Sequence, residues 1–272
     1  MKTPQLHINV LVERRYLEQL QPAGLITAIR ERGHTVDVVD PDNALDEIGE
    51  GAFMDGLDLV VVRGRSLKVL CMTAVAETAG LRTVNRLSAI RGVLNKAQIG
   101  LRLTANRIPT PPTYFDTIQY LAEHVPSYPL VLKPVFGDNG RGLKVVQTAE
   151  ELLQLEWEEP MVLAQQYIPN NGYDLKLYAI GDEVWAVRKP SPLSNLQQGE
   201  AEPRPISQEL VALGRQCGEL FGLELYGVDC ILTPDGPTVI EINEFPNYTA
   251  VPNANERLAD YVIQRAREVG KQ

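Results

Sequence analysis

The chain has 272 residues, 44% of them hydrophobic and 22% charged, and a formal net charge of −9. That length and balance suit an ordinary globular core in two or three lobes, and the acidic net charge excludes a general nucleic-acid-binding surface, which is basic. No apolar run approaches the roughly 20 residues of a membrane span, and the first ten residues (M-K-T-P-Q-L-H-I-N-V) lack the apolar stretch of a signal peptide.

Strand and helix patterns alternate through the first third. His7 to Glu13 reads as a buried strand, Leu20 to Arg32 as an amphipathic helix ended by Gly33, and Thr35 to Asp40 as a second strand. Asp58 to Arg63 is a third, followed by a helical stretch through Ala79 capped by Gly80. Such alternation implies an open lobe, a parallel sheet with helices on its faces. Helical segments continue to about Asn106, and Ile108 to Pro112 (I-P-T-P-P) is a stiff linker. The first lobe boundary falls between Ser88 and Pro112.

A smaller β-rich lobe follows, with strands at Leu130 to Val135, Leu143 to Gln147 and Met161 to Ile168, and a short helix from Ala149 to Gln154. The third lobe begins near Gly172. Asp174 to Ile180 and Glu183 to Arg188 form a hairpin about Gly181-Asp182, and Pro190 to Pro205 reads as a loop. A helix through about Leu220 leads to a last hairpin and a terminal helix from Ala254 to Val269. Cys71, Cys217 and Cys230 lie in apolar contexts without metal-type spacing, which predicts buried, reduced thiols and a cytoplasmic setting.

Three features carry chemistry. Gly137 to Gly142 (G-D-N-G-R-G) lies between two strands, where glycines let a backbone fold closely over a phosphate. Its spacing approaches a P-loop, but Leu143 stands where that motif needs lysine and a β-run follows. A flap over a nucleotide and an ordinary glycine turn both remain open. Lys133 sits inside an apolar strand (V-L-K-P-V), where a lysine is costly without an anionic partner. Lys96 lies near a helix start, where anions are favoured, but on its own it reads by default as a surface lysine. Arg188 and Lys189 end their strand, to meet either an anionic substrate or a neighbouring acid.

The third feature is the late hairpin, Val228 to Asn243, turning at Pro234-Asp235-Gly236. Symmetry about Asp235 pairs Thr233 with Pro237, Ile231 with Val239 and Asp229 with Glu241, and puts Asn243 on the Glu241 face. Opposed carboxylates repel across a strand pair. A hard cation between them reverses that, since Mg²⁺ takes oxygen ligands, often one or two carboxylates with substrate phosphates. A solvated acidic rim is the other reading.

As an ordered set these motifs resemble the ATP-grasp enzymes over nearly the whole chain: Lys96, the L-K-P strand, the flap, V-L-A-Q-Q-Y-I, D-L-K-L-Y-A-I-G-D-E-V and G-V-D…E-I-N. The likeness is strongest to the RimK type, whose S-N-L segment is similar to Ser194 to Gly199 (S-N-L-Q-Q-G). The resemblance implies an α/β ATP-grasp fold with α+β elements: an open α/β pre-ATP-grasp domain over 1–88, a central subdomain with the flap over 89–171, and a C-terminal subdomain with the metal site over 172–272. It implies that Lys96 and Lys133 contact ATP phosphates beneath a flap containing Gly137, Asn139, Gly140 and Gly142. Gln165, Gln166, Tyr167 and Ile168 would hold adenine, and Asp174 would lie near the ribose or the substrate entrance. Asp229, Glu241 and Asn243 would hold two Mg²⁺ ions, with Mn²⁺ able to substitute. Lys176, Arg188 and Asn195 would face an acyl phosphate.

The implied activity is ADP-forming ligation of a small-molecule or peptide carboxylate to an amine, without nucleic-acid or membrane partners. Such enzymes are often dimers or tetramers, so the resemblance leaves a homo-oligomer open while the sequence itself does not state one. The chain departs from the pattern at Gln166, where a hinge glutamate is usual, at Lys176, where arginine is usual, and in lacking basic residues around S-N-L. Lys176 to Ser191 and Glu241 to Tyr248 also look like segments of inositol-phosphate kinases of the same fold, an alternative that would phosphorylate a hydroxyl. That family's hinge histidine is absent, Pro169-Asn170-Asn171-Gly172 standing in its place. A third reading is a nucleotide-binding scaffold without turnover.

Overall fold

Runs of β-branched residues spaced by amphipathic helices build the first sheet. The computed structural model describes residues 4–43, 54–137, 140, 142–194 and 200–269. Strands β1 (His7–Val12), β2 (Thr35–Val39), β3 (Leu59–Arg63) and β4 (Thr83–Val84) pair in parallel in the order β2-β1-β3-β4. All five residues of β3 are buried, as a parallel strand covered on both faces requires. Helices α1 (Leu20–Glu31), α2 (Leu67–Thr78) and α3 (Leu87–Gly92) cover the sheet. Helix α4 (Lys96–Ala105) follows, with the Asn95 side chain accepting from the N–H groups of Ala97 and Gln98 as its cap.

The second sheet is antiparallel, order β5-β8-β6-β7, from β5 (Thr113–Asp116), β6 (Leu130–Lys133), β7 (Lys144–Val146) and β8 (Val162–Gln166). Helices α5 (Ile118–His124) and α6 (Ala149–Leu153) pack on one face, where Leu121, Leu152, Leu130 and Val162 share a core. Neither β5 nor α5 is expected from the sequence. Only four strand residues separate Pro112 from the Thr117 cap, too short a stretch to show a two-residue period.

The third sheet, order β11-β10-β9-β12-β13, is also antiparallel. It comprises β9 (Tyr173–Ile180), β10 (Glu183–Pro190), β11 (Glu202–Arg204), β12 (Leu225–Thr233) and β13 (Gly236–Glu244). Helix α7 (Gln208–Phe221) lays Leu213, Cys217 and Phe221 on one face, against Leu177, Val228 and Ile242. On the opposite face Tyr178, Ile180 and Val187 pack into the core shared with the first lobe, and the remainder is left for polar chemistry. Strand β11 lies inside the stretch expected as a loop; it is a short, exposed edge strand, where Pro203 is tolerated because an N–H on the solvent side would make no ladder bond. The terminal helix α8 (Ala254–Val269) packs on α1, and its Leu258 and Val262 join a core with Leu25 and Ile29 of the first lobe and Tyr178 and Phe245 of the third.

The late hairpin reaches the expected carboxylate pairing by an unexpected route. Thr233 pairs with Gly236 and Leu232 with Pro237, so the turn is one residue tighter than symmetry about Asp235 predicts. A bulge between Asp229 and Cys230 skips Ile240 and restores Asp229 opposite Glu241. The two offsets cancel.

Cys217 and Cys230 are buried, but Cys71 is exposed on α2, against the expectation for all three. Burial pushes the Cys217 thiol up to about 12, which leaves almost no thiolate at neutral pH. An aromatic disulfide reagent is expected to label one thiol in the native protein and all three after unfolding; fast labelling of two or more in the native state would contradict this packing. No helix among the described residues is long and apolar enough to cross a membrane.

Candidate functional site

The strand period decides which side chains leave the α7 side and face outward. On β9, Asp174, Lys176 and Tyr178 share the face away from α7, with Tyr178 packed into the core shared with the first lobe; across the hairpin, Val187 pairs with Lys176 and Lys189 with Asp174. On the other neighbour, Asp229 pairs with Lys176 and Glu241 with Asp229, making one row across three strands. This face, the Lys133 end of β6, the start of α4 and the carboxyl edge of the first sheet enclose a cavity of about 360 Å³.

Charges inside the cavity alternate. Lys176 Nζ lies 2.9 Å from Asp229 Oδ1, and Asn243 Nδ2 donates to Asp229 Oδ2 at 3.3 Å. Lys96 Nζ lies 3.0 Å from Glu241 Oε1 and also donates to the Gly137 carbonyl. Lys133 is 7% exposed and donates to Gln165 Oε1 at 2.6 Å and to the carbonyl of Ile240, the residue the bulge frees from the ladder, at 3.2 Å. Close packing also matters: a Cβ on Gly227 would stand 3.1 Å from Lys176 Cε, so a larger residue there would push the lysine aside.

Protonation follows the same geometry. Burial pushes the Lys133 ammonium down to about 8, against the pull of Glu241. Burial raises Glu241, but Lys96 and Lys133 outweigh it and hold the carboxyl below its usual range. Lys176 is pushed down by burial and lifted further by Asp229, ending above its ordinary value. Asp174, accepting from Ser191, is raised to about 6 by burial. Two carboxylates facing three lysines form a site that swaps internal ion pairs for an anion and its counter-cation.

Most of the residues expected from the sequence line this cavity: Lys96, Lys133, Gly137, Gly140, Gln165, Gln166, Tyr167, Ile168, Asp174, Lys176, Asp229, Glu241 and Asn243. Gln165 is spent holding Lys133 and Thr113. The Gln166 side chain bonds Ser127 and the Pro129 carbonyl, tying β8 to the neighbouring loop. Gly142 stands beside Pro134 outside the lining, in a left-handed conformation that suits glycine. Asn139 and Asn195 lie outside the described residues.

Arg188 is not brought to the site. It pairs with Leu175, on the other face of the hairpin, where its guanidinium bonds Glu202 at 2.9 Å and stacks 4.2 Å from the Tyr173 ring. Lys189, one residue on, is the cavity cation. The two-residue period counted across from Asp174 was the signal that distinguishes them. Sequence reasoning missed the bidentate grip of Arg65 on buried Glu244, at 2.9 and 3.0 Å, and missed Asn247. Asn247 lies in a loop where Phe245, Tyr248 and Ala250 hold left-handed backbone, a conformation no local pattern announces.

The oxygen donors of Asp229, Glu241 and Asn243 are hard ligands, and among the described residues no cluster of three or more His, Cys, Asp or Glu forms an all-protein metal cage. Two carboxylates and an amide suit Mg²⁺, which completes its shell with water and substrate phosphates.

Comparison with known proteins bears on the family and the fold. Residues 86–263 match the family model described as a RimK-like ATP-grasp domain. A probable alpha-L-glutamate ligase of Stenotrophomonas maltophilia (strain R551-3) is 30% identical over 275 residues, covering 91% of this chain and 94% of that protein. The crystal structure of a RimK domain ATP-grasp protein from Sphaerobacter thermophilus superposes with a TM-score of 0.74 at 22% identity, covering 94% of this chain and 99% of the other. The D-alanine–D-alanine ligase of Bacillus anthracis complexed with ATP gives a TM-score of 0.74 at 15% identity, covering 99% of each chain. The fold is ATP-grasp, and the Stenotrophomonas and Bacillus proteins are named as ligases; the hydroxyl kinase is not favoured.

Proposed function

This chain belongs to the RimK-like ATP-grasp family and is an ATP-dependent carboxylate–amine ligase, and on that premise we propose that it activates its carboxylate as an acyl phosphate and couples it to the amine of L-glutamate. The observation that carries the reading is the row Lys176–Asp229–Glu241, faced by Lys96 and Lys133 in one cavity. The L-glutamate assignment is taken from the relative's name.

Lys96 and Lys133 bind the phosphates, trading their contacts with Glu241 and Gln165 for the anion. Asp229, Glu241 and Asn243 hold two Mg²⁺ ions, with Mn²⁺ able to replace them. Bound there, the metal supplies Lewis-acid neutralisation of the transferring phosphoryl oxygens. Tyr167 and Ile168 wall the adenine, and Asp174 with Ser191 stands at the substrate entrance. Lys176 and Lys189 orient the carboxylate that takes the γ-phosphoryl group, with release of ADP. The amine nitrogen then attacks the acyl carbon; the C–N bond forms, the C–O bond to phosphate breaks, inorganic phosphate leaves with the electron pair, and the nitrogen gives up its proton. No side-chain nucleophile is needed, because positioning and electrostatics do the work. Two buried reduced thiols support a cytoplasmic setting.

Hydroxylamine tests the reaction. With ATP, Mg²⁺ and a panel of amino acids and glutamate-ending peptides, a trapped hydroxamate is expected together with stoichiometric ADP. ADP release that never yields a hydroxamate would overturn the acyl-phosphate route.

A further inference from the structure

Ligands of an open parallel sheet settle outside the carboxyl ends of its strands, where the winding reverses. With the order β2-β1-β3-β4 that point lies between β1 and β3. Arg63, the last residue of β3, stands there and lines the cavity. It is only 6% exposed, its guanidinium lying 3.8 Å from the Tyr16 ring centroid and 5.6 Å from that of Phe245. Its hydrogen bonds go to neutral oxygens, Gln19 Oε1 at 3.4 Å and Asn247 Oδ1 at 3.2 Å. Among the described residues its Nε has no partner.

The nearby acids are already engaged. Glu244 places both carboxylate oxygens on Arg65, and Glu13 bonds Arg15 and the N–H groups of Arg65 and Ser66. Glu244 lies within electrostatic reach of Arg63 but makes no hydrogen bond to it among the described residues. A buried guanidinium without a carboxylate is costly, and its planar fork of donors matches a carboxylate.

We propose that Arg63 binds the carboxylate that the amine-bearing amino acid keeps through the reaction, and thereby sets the preference for amino acids over simple amines. The inference rests on the ligase reading above. The activated carboxylate is consumed as acyl phosphate; the one carried by the amine substrate is not, and it must be held clear of the phosphoryl group so that nitrogen faces the acyl carbon. Arg63 comes from the first sheet, whereas the phosphate lysines come from α4 and β6, so one cavity separates the two acid sites.

The test compares L-glutamate, L-glutamine and L-isoglutamine (its α-carboxamide) as amines against hydroxylamine, which carries no carboxylate. Arg63→Gln is expected to raise the KM for L-glutamate and to lower the ratio of L-glutamate coupling to hydroxamate formation by about 10²-fold. It is also expected to abolish the preference for L-glutamate over the carboxamide that removes the held group, with Arg63→Lys keeping part of it. Asn247→Asp gives Arg63 a carboxylate of its own and is expected to have the same effect without emptying the stacked position, so it decides the matter if Arg63→Gln does not fold. A wild-type protein that forms no hydroxamate overturns the ligase reading, and this inference with it. Hydroxamate formation with no wild-type preference for L-glutamate, or with that preference intact in the folded variants, overturns the Arg63 assignment alone.

Discussion

Glu241→Gln is expected to lower Mg²⁺-dependent turnover by about 10³-fold or more while leaving metal-free ATP binding equal or tighter. The two halves of that outcome come from one geometry. Glu241 lies 3.0 Å from Lys96, and it is also the main charge drawing on Lys133. Glutamine keeps the shape but deletes the anion, so the metal loses a ligand charge while both lysines lose a competitor for phosphate. A surface acid would do neither. Asp229→Asn is expected to lose turnover in the same way, with an added fall in stability, because Lys176 then lacks its partner at 2.9 Å. The measurements are kcat at saturating ATP and Mg²⁺, and calorimetric ATP binding in chelator. Turnover within about tenfold of wild type (under 1.4 kcal/mol) in both variants would remove the metal assignment.

How much of this was legible depended on whether a residue's cost was local. Lys133 announced itself because a lysine within V-L-K-P-V has nowhere to send its charge, and the structure buries it. Asp229 opposite Glu241 followed from hairpin symmetry, although the true register needed a tighter turn and a bulge that no single-sequence pattern encodes. Adjacent cations defeated the reading at Arg188 and Lys189. Both are long, basic and at a strand end, and only the partner strand says which faces the cavity. The link between Arg65 on the first lobe and Glu244 on the third joins residues 179 apart in the chain, beyond any window. The same holds for Cys71: its helix is apolar enough to look buried, yet the cysteine is exposed.

Lys133→Met separates binding from stability in the opposite sense to the carboxylate variants. It is expected to raise the ATP KM by about 10²-fold, the worth of a charge-assisted hydrogen bond in a dry site, with Tm unchanged within about 4 °C. Burial already disfavours the ammonium enough to hold it near 8, so replacing it with an apolar side chain of similar length relieves a desolvation cost. Against that relief stand two acceptors left without a donor, Gln165 Oε1 and the Ile240 carbonyl, at about 1 kcal/mol each. The terms nearly cancel for the fold and not for the ligand. Triphosphate binding gains nothing from a thioether and keeps only Lys96 at that end of the cavity. A lysine present for structure would give the reverse pattern, a lowered Tm with an unmoved KM, and that result would transfer phosphate recognition away from β6. Combining Lys133→Met with Glu241→Gln sharpens the point. The two side chains are coupled through space, so Glu241→Gln is expected to tighten metal-free ATP binding less in the Lys133→Met background than in the wild type, and strict additivity would place them in separate sites.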